Sequence, residues 1–132
     1  MPALGDLEAR VMRAIWARGK PVTVRDVLGD LQAERPLAYT TVMTVMGNLR
    51  KKGWLQRHDE GRAYRYEPLV TAEEYGAALM RQALAASADR PAVLMHFLGE
   101  LSPQEAAELE AAYRRLTRQR GSQAAADCGD AR

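Results

Sequence analysis

Residues 38–66 switch hydrophobic period once, from 3.6 to 2, and few folds accommodate that change in so short a span. Val42, Val45, Met46 and Leu49 form one apolar stripe on a helix that starts near Ala38 and closes at Gly53. At about 100° per residue, Thr40, Thr44, Gly47 and Lys51 point directly away from the stripe, with Thr41 and Asn48 on one flank and Met43 on the other. β-Branched residues lose rotamer freedom in a helix, so three threonines on the outer face are poor choices for helix stability alone. After Gly53, the alternation Leu55, Gln56, Arg57, His58 leads to a turn at Asp59-Glu60-Gly61 and on to Ala63, Tyr64, Arg65, Tyr66. That pattern reads as a hairpin with a basic rim. Tyr64 and Tyr66 share the side opposite Arg65 and are expected to pack the hairpin on the core rather than stack on bases.

Two more helices precede this stretch. Leu7, Val11, Ala14 and Ile15 recur at helical spacing behind Asp6, the expected N-cap, and Gly19 with Pro21 supplies the stop, which predicts a helix over Leu7–Arg18. Thr23 precedes Val24, Val27, Leu28 and Leu31, with Asp26 three residues on in a variant capping box; this second helix ends before Pro36. Three helices followed by a two-stranded wing make a winged helix-turn-helix, in which the third helix enters the major groove and the wing straddles neighbouring phosphates. The expected fold is mainly α with a small β-wing.

The remaining chain reads as helices that cannot cover themselves. Thr71 to Glu74 is a capping box opening a helix with Tyr75, Leu79 and Ala83; Asp89 and Pro91 open a short, very apolar one. Ser102-Pro103-Gln104-Glu105 then combines an N-cap, a proline at the first helical position and a glutamate at the third. Leu79, Val93, Leu94, Phe97, Leu98, Leu101, Leu109, Tyr113 and Leu116 all need cover. A second copy would supply it and give a twofold dimer suited to a palindromic site; packing back on the N-terminal domain is the alternative. Beyond Arg120, glycine, serine, alanine and aspartate predict disorder. The expected organisation is a DNA-binding domain over 1–70, a helical dimerisation segment over 71–120 and a disordered tail over 121–132.

Charge agrees with this division. Residues 1–70 hold 12 Lys/Arg against 8 Asp/Glu, whereas the remainder holds 7 against 9. Six basic and two acidic residues fall within Ala38–Tyr66, so a polyanion is the natural partner of that stretch. Thr40, Thr41, Thr44 and Asn48 are expected to meet base edges or phosphates, and Met43 to add an apolar contact. Arg50, Lys51, Arg57 and Arg62 suit phosphates, which fix position without reading sequence. Arg50 and Lys52 could instead be solvated or pair with acids such as Glu34, Thr41 could serve as a cap, and His58 is expected to be a rim residue.

Other classes find little support. With two histidines, no Gly-x-Ser-x-Gly, no phosphate loop and no metal-spaced Cys/His cluster, no catalytic residue, cofactor or metal is expected. The single Cys128 cannot form an intrachain disulfide and is expected to be incidental. Neither a run of 18 apolar residues nor a secretory leader is evident, so no membrane insertion and a cytoplasmic location are expected.

At Leu37-Ala38-Tyr39-Thr40-Thr41-Val42-Met43-Thr44-Val45-Met46, followed by Leu49 and Lys51-Lys52-Gly53, the sequence resembles the penicillinase-repressor family of bacterial regulators, the BlaI/MecI type. The resemblance runs from Leu4-Gly5-Asp6-Leu7-Glu8 through Ala63-Tyr64-Arg65-Tyr66 to the helix near Leu116. It implies a winged helix that binds a double-stranded operator as a homodimer, C-terminal helices that hold the dimer, and silencing of β-lactam resistance genes. It also implies release through proteolysis by a membrane-bound sensor. The family's cleavage point, between an asparagine and a phenylalanine, falls at His96-Phe97, with histidine in place of asparagine. Copper-responsive relatives end in a cysteine-rich motif that a lone Cys128 cannot supply. Two other readings stand beside this one: a protein-interaction adaptor, and a repressor relieved by a small molecule held near Tyr75, Met80 and Met95.

Overall fold

The structure, a computed structural model, describes residues 3–130, and the side chains among them except those of Glu60 and 127–130. Eight elements follow in order: α1 (Asp6–Arg18), α2 (Val24–Gln32), α3 (Tyr39–Lys51), β1 (Leu55–Glu60), β2 (Ala63–Pro68), α4 (Ala72–Ala85), α5 (Arg90–Gly99) and α6 (Pro103–Asp130).

Helix α1 is capped by Gly5 rather than Asp6, because the Glu8 carboxylate accepts the Gly5 N–H at 3.1 Å. It stops at Gly19, whose φ of 65° is the left-handed conformation that glycine adopts without a Cβ penalty. At α2 the Thr23 hydroxyl accepts from Asp26 N–H (3.1 Å) while the Asp26 carboxylate accepts from Thr23 N–H (3.0 Å), the reciprocal box its sequence predicts. Helix α3 begins behind Ala38, which has no side-chain cap; Thr41 therefore stands inside the helix and caps nothing.

The three helices pack on one another through Val11, Met12, Ile15, Val27, Leu31, Val42, Met46 and Leu49, all buried. The antiparallel hairpin closes over this core with Leu55 and Tyr66, in register from Leu55↔Pro68 to Glu60↔Ala63. Its turn is therefore Gly61-Arg62, starting two residues and ending one residue later than expected, since Gly61 at φ 64° supplies the positive φ that a tight hairpin needs and pairing runs right up to it. Val22 adds one bridge to the sheet, exchanging backbone hydrogen bonds with Tyr66 at 3.0 and 2.8 Å.

The chain divides into two compact units, Met1–Ala83 and Leu84–Arg132, so the boundary falls later than residue 70. The reason is Tyr75. Its ring lies edge-on to Trp54 (centroids 5.2 Å apart) and tilted against Trp16 (5.9 Å), and its hydroxyl oxygen accepts the Leu4 N–H at 2.9 Å. Trp16 in turn donates its indole N–H to the Val70 carbonyl at 2.8 Å. The start of α4 is thus fastened to the N-terminal unit, and Tyr75 is spent on packing rather than lining a ligand pocket. Met80 is 60% exposed.

In the second unit, α5 is capped by Asp89, which accepts from Ala92 N–H at 3.1 Å, and α6 opens with reciprocal Ser102 and Glu105 bonds of 3.1 and 3.0 Å. Helix α6 continues to Asp130, past Arg120, where composition predicts disorder. Ala124, Ala125 and Ala126 explain the extension: alanine is the strongest helix former, and between Gly121 and Gly129 neither glycine nor proline interrupts the stretch. The side chain of Cys128 lies outside the described ones.

Candidate nucleic-acid interface

Helix α3 has two faces of opposite character. Val42, Met46 and Leu49 are fully buried and Val45 half-buried, so the stripe holds the helix to α1, α2 and the hairpin. Thr40, Met43, Thr44, Asn48, Arg50 and Lys51 are exposed, and Thr41 is half-buried on the flank. The packing of the inner stripe thus leaves hydroxyls, one amide, one thioether and two cations displayed on the outside of a rigid element. Such a set can meet base edges through Thr and Asn and phosphates through Arg and Lys.

Neighbouring cations separate by whether an acid already answers them. Lys52 turns back to Glu8 of α1 at 2.8 Å, and this hydrogen bond, helped by the Gly5 N–H, holds the Glu8 carboxyl below its ordinary range. Glu34, suggested as a partner for Arg50 or Lys52, lies instead 3.6 Å from Arg10. Arg50 and Lys51 pair with no acid among the described residues, so their charge is available to a partner.

The wing supplies Arg57 on β1 and Arg62 in the turn. Arg57 places its guanidinium 4.0 Å over the Tyr64 ring and its Nε 3.6 Å from Asp59. Tyr64, expected to pack inward with Tyr66, is 51% exposed while Tyr66 is buried. The two share one side of the strand, but Tyr64 lies nearer the turn, where the core no longer reaches. His58 sits on the rim beside Glu67 at 3.5 Å.

A cleft of about 430 Å³ lies between α3 and the wing and brings Met43, Arg57 and Arg62 together with Tyr64. It also includes Arg25 of α2 and Tyr39 of α3, which sequence reasoning did not pick out. Arg25 stands off the apolar stripe of α2, a sign that it is exposed; only the fold shows that it faces the wing.

Of the residues expected to need a dimer partner, Val93, Leu94, Phe97, Leu98, Leu109, Tyr113 and Leu116 are between 38% and 67% exposed in the second unit, and Leu101 is half-buried. Leu79, in the first unit, is 36% exposed. His96 and Phe97 both lie exposed within α5. Among the described residues no His/Cys/Asp/Glu group could hold a metal ion, and no helix is long and apolar enough to cross a membrane.

Comparison with known proteins places this geometry. A family model described as penicillinase repressor matches residues 4–115. The chain is 45% identical over 120 residues to the transcriptional regulator BlaI of Mycobacterium tuberculosis, a match covering 83% of this chain and 87% of that protein. It is 31% identical over 75 residues to the penicillinase repressor of Bacillus licheniformis, covering 57% and 58% respectively. Among solved structures, the DNA-binding domain of the repressor BlaI superposes with a TM-score of 0.50 at 31% identity, covering 56% of this chain and 89% of that one.

Proposed function

The chain belongs to the penicillinase repressor family and is a DNA-binding transcriptional repressor; from that premise we propose that it acts as a homodimer on a palindromic operator controlling β-lactamase or related antibiotic-resistance genes. The observation that carries the DNA-reading part is the division of α3: Val42, Met46 and Leu49 of its apolar stripe are fully buried and Val45 half-buried, while Thr40, Thr44, Asn48 and Lys51 face outward beside a wing bearing Arg57 and Arg62. An adaptor would need a neutral or apolar outer face there, which this helix does not have.

The dimer reading is supported by the second unit. Leu94, Phe97, Leu98, Leu109 and Leu116 stay 41–45% exposed in a single chain, and large apolar side chains left exposed in such number on α5 and α6 are of the kind that marks an association site. A twofold partner would cover these faces and set two α3 helices against two half-sites.

Relief by a membrane-bound sensor protease follows as the regulatory part of the proposal. The bond His96–Phe97 lies inside α5, so the helix must open locally before it could be cut. Cutting there detaches α6 with Leu109, Tyr113 and Leu116, and the remaining monomer would keep one half-site contact. Two half-sites held by one dimer gain on the order of 10² or more in affinity through effective concentration, and cleavage forfeits that gain.

Hydroxyl-radical footprinting on the DNA upstream of the chain's own gene tests the reading. The expected result is two protected patches related by a twofold axis and about 10 base pairs, or a multiple of that, apart. A single unpaired patch would refute the dimeric operator.

A further inference from the structure

We propose that the cleft between α3 and the wing seats one phosphodiester strand of duplex DNA, and that Arg25, whose guanidinium lies over the Tyr39 ring at cation–π distance, is a phosphate-contact residue. The proposal rests on the DNA-reading assignment of α3 and the wing made above. If α3 lies in the major groove and the wing meets neighbouring phosphates, the strand that borders the groove must cross the gap between them.

That gap is the cleft of about 430 Å³, lined by Arg25, Arg57 and Arg62 and, among the described side chains, by no acid. Two of these cations sit over aromatic rings. Arg57 lies 4.0 Å from the Tyr64 centroid, and Arg25 lies 5.9 Å from that of Tyr39. A ring at such a distance attracts the cation without using up an N–H donor, and the guanidinium fork of N–H groups matches the paired oxygens of a phosphate.

Arg25 is the more telling of the pair. Arg57 already has Asp59 at 3.6 Å, whereas Arg25 has no acidic partner among the described residues. Its position also works against its own helix. Arg25 stands in the first turn of α2, next but one to the Thr23 cap, where the helix dipole favours anions and disfavours cations. A phosphate entering the cleft would reverse that penalty by adding an anion near both the helix N-terminus and the guanidinium. The exposed Tyr39 ring, at the first position of α3, then serves to hold the arginine in place rather than to read a base.

Backbone contacts are sequence-independent, so the test does not require the operator. Binding of the full-length protein to an arbitrary duplex is followed by fluorescence anisotropy across a salt series, for the wild type and for Arg25→Ala, Arg25→Lys and Lys51→Ala. Thermal melts confirm that each variant folds. Losing one phosphate contact should shallow the slope of log K against log salt by about 0.9. Arg25→Ala should show that change, so that its deficit against the wild type shrinks about 3.5-fold between roughly 50 and 200 mM salt. Arg25→Lys should restore the slope. An unchanged slope and affinity for Arg25→Ala, alongside a shallower slope for Lys51→Ala, would overturn this inference and leave the DNA-binding reading intact. Duplex binding by the wild type that is absent or indifferent to salt would overturn both.

Discussion

Met43 and Met46 are the same residue type, three positions apart on α3, and the account assigns them opposite fates. Met46 is fully buried at the centre of the core, and Met43 is 44% exposed on the outer face. Truncating a buried methionine to alanine removes its transfer free energy and leaves a cavity in the core that α1, α2, α3 and the hairpin share, which costs about 2–5 kcal/mol. In a unit of this size each kcal/mol moves the melting midpoint by about 4–8 °C, so Met46→Ala should lower it by roughly 8 °C or more. Met43→Ala removes exposed surface, and alanine is the better helix former, so its effect should stay within about 0.5 kcal/mol. The assay is a thermal melt of the full chain followed by circular dichroism, at one protein concentration because association shifts the midpoint. DNA affinity is then measured for Met43→Ala, which should weaken binding while leaving the midpoint in place. Equal destabilisation by the two substitutions, or a larger loss from Met43→Ala, would mean that α3 is rotated from its assigned orientation and would refute the interface built on it.

Thr44→Ala should reduce discrimination among duplex sequences, whereas Lys51→Ala should weaken all of them similarly and shallow the salt slope by about 0.9; Lys52→Ala, whose charge is engaged by Glu8, should leave the slope unchanged. Competition anisotropy with variant duplexes separates the three. A chain ending at His96 should lose affinity for a full operator by on the order of 10² while retaining half-site binding, and full-strength operator binding by that fragment would remove the case for dimer-dependent repression. Acid should destabilise the N-terminal unit through carboxylates held below their ordinary range: Asp30 by its hydrogen bonds to Arg18, Asp26 by the Thr23 N–H, and Glu8 by Lys52. Because these groups are depressed in the folded state, their contribution is complete above about pH 4–5 and is lost as pH falls through the folded values. Asp30→Asn should flatten that acid limb in urea melts taken at successive pH values, and an unaltered limb would count against the Arg18–Asp30 pair as its source.

Much of the fold could be read directly because local signals and tertiary demands coincide in the N-terminal unit. The 3.6-residue stripe of α3, the Thr23–Asp26 box and the alternation of the hairpin each follow from a periodicity that the core then uses. Where sequence reasoning missed, the deciding interaction was long-range. Tyr75 binds Leu4 and two tryptophans far away in sequence, which moved the unit boundary beyond residue 70. Lys52 selected Glu8, 44 residues distant, over the acids considered for it. Tyr64 and Tyr66 obey the same alternation yet differ in burial, since alternation gives the side of a strand but not how far the core extends beneath it. At the C-terminus the error was local: three alanines outweighed the glycine, serine and aspartate around them, and α6 ran on. Arg25 was passed over because its residue type is ordinary for a solvated helix face; its neighbours across the cleft belong to elements 14 and more residues away.

The central claim is that this chain reads duplex sequence through α3 and anchors itself through the cations around it. The most direct measurement is fluorescence anisotropy of the purified protein with its own promoter region and with scrambled DNA of equal length, at a low and a high salt concentration. The account predicts tighter binding to the promoter at both concentrations, with both affinities falling as salt rises. Equal affinity for the two duplexes would contradict sequence reading by α3, and binding that ignores salt would contradict the phosphate contacts assigned to Arg50, Lys51, Arg57 and Arg62.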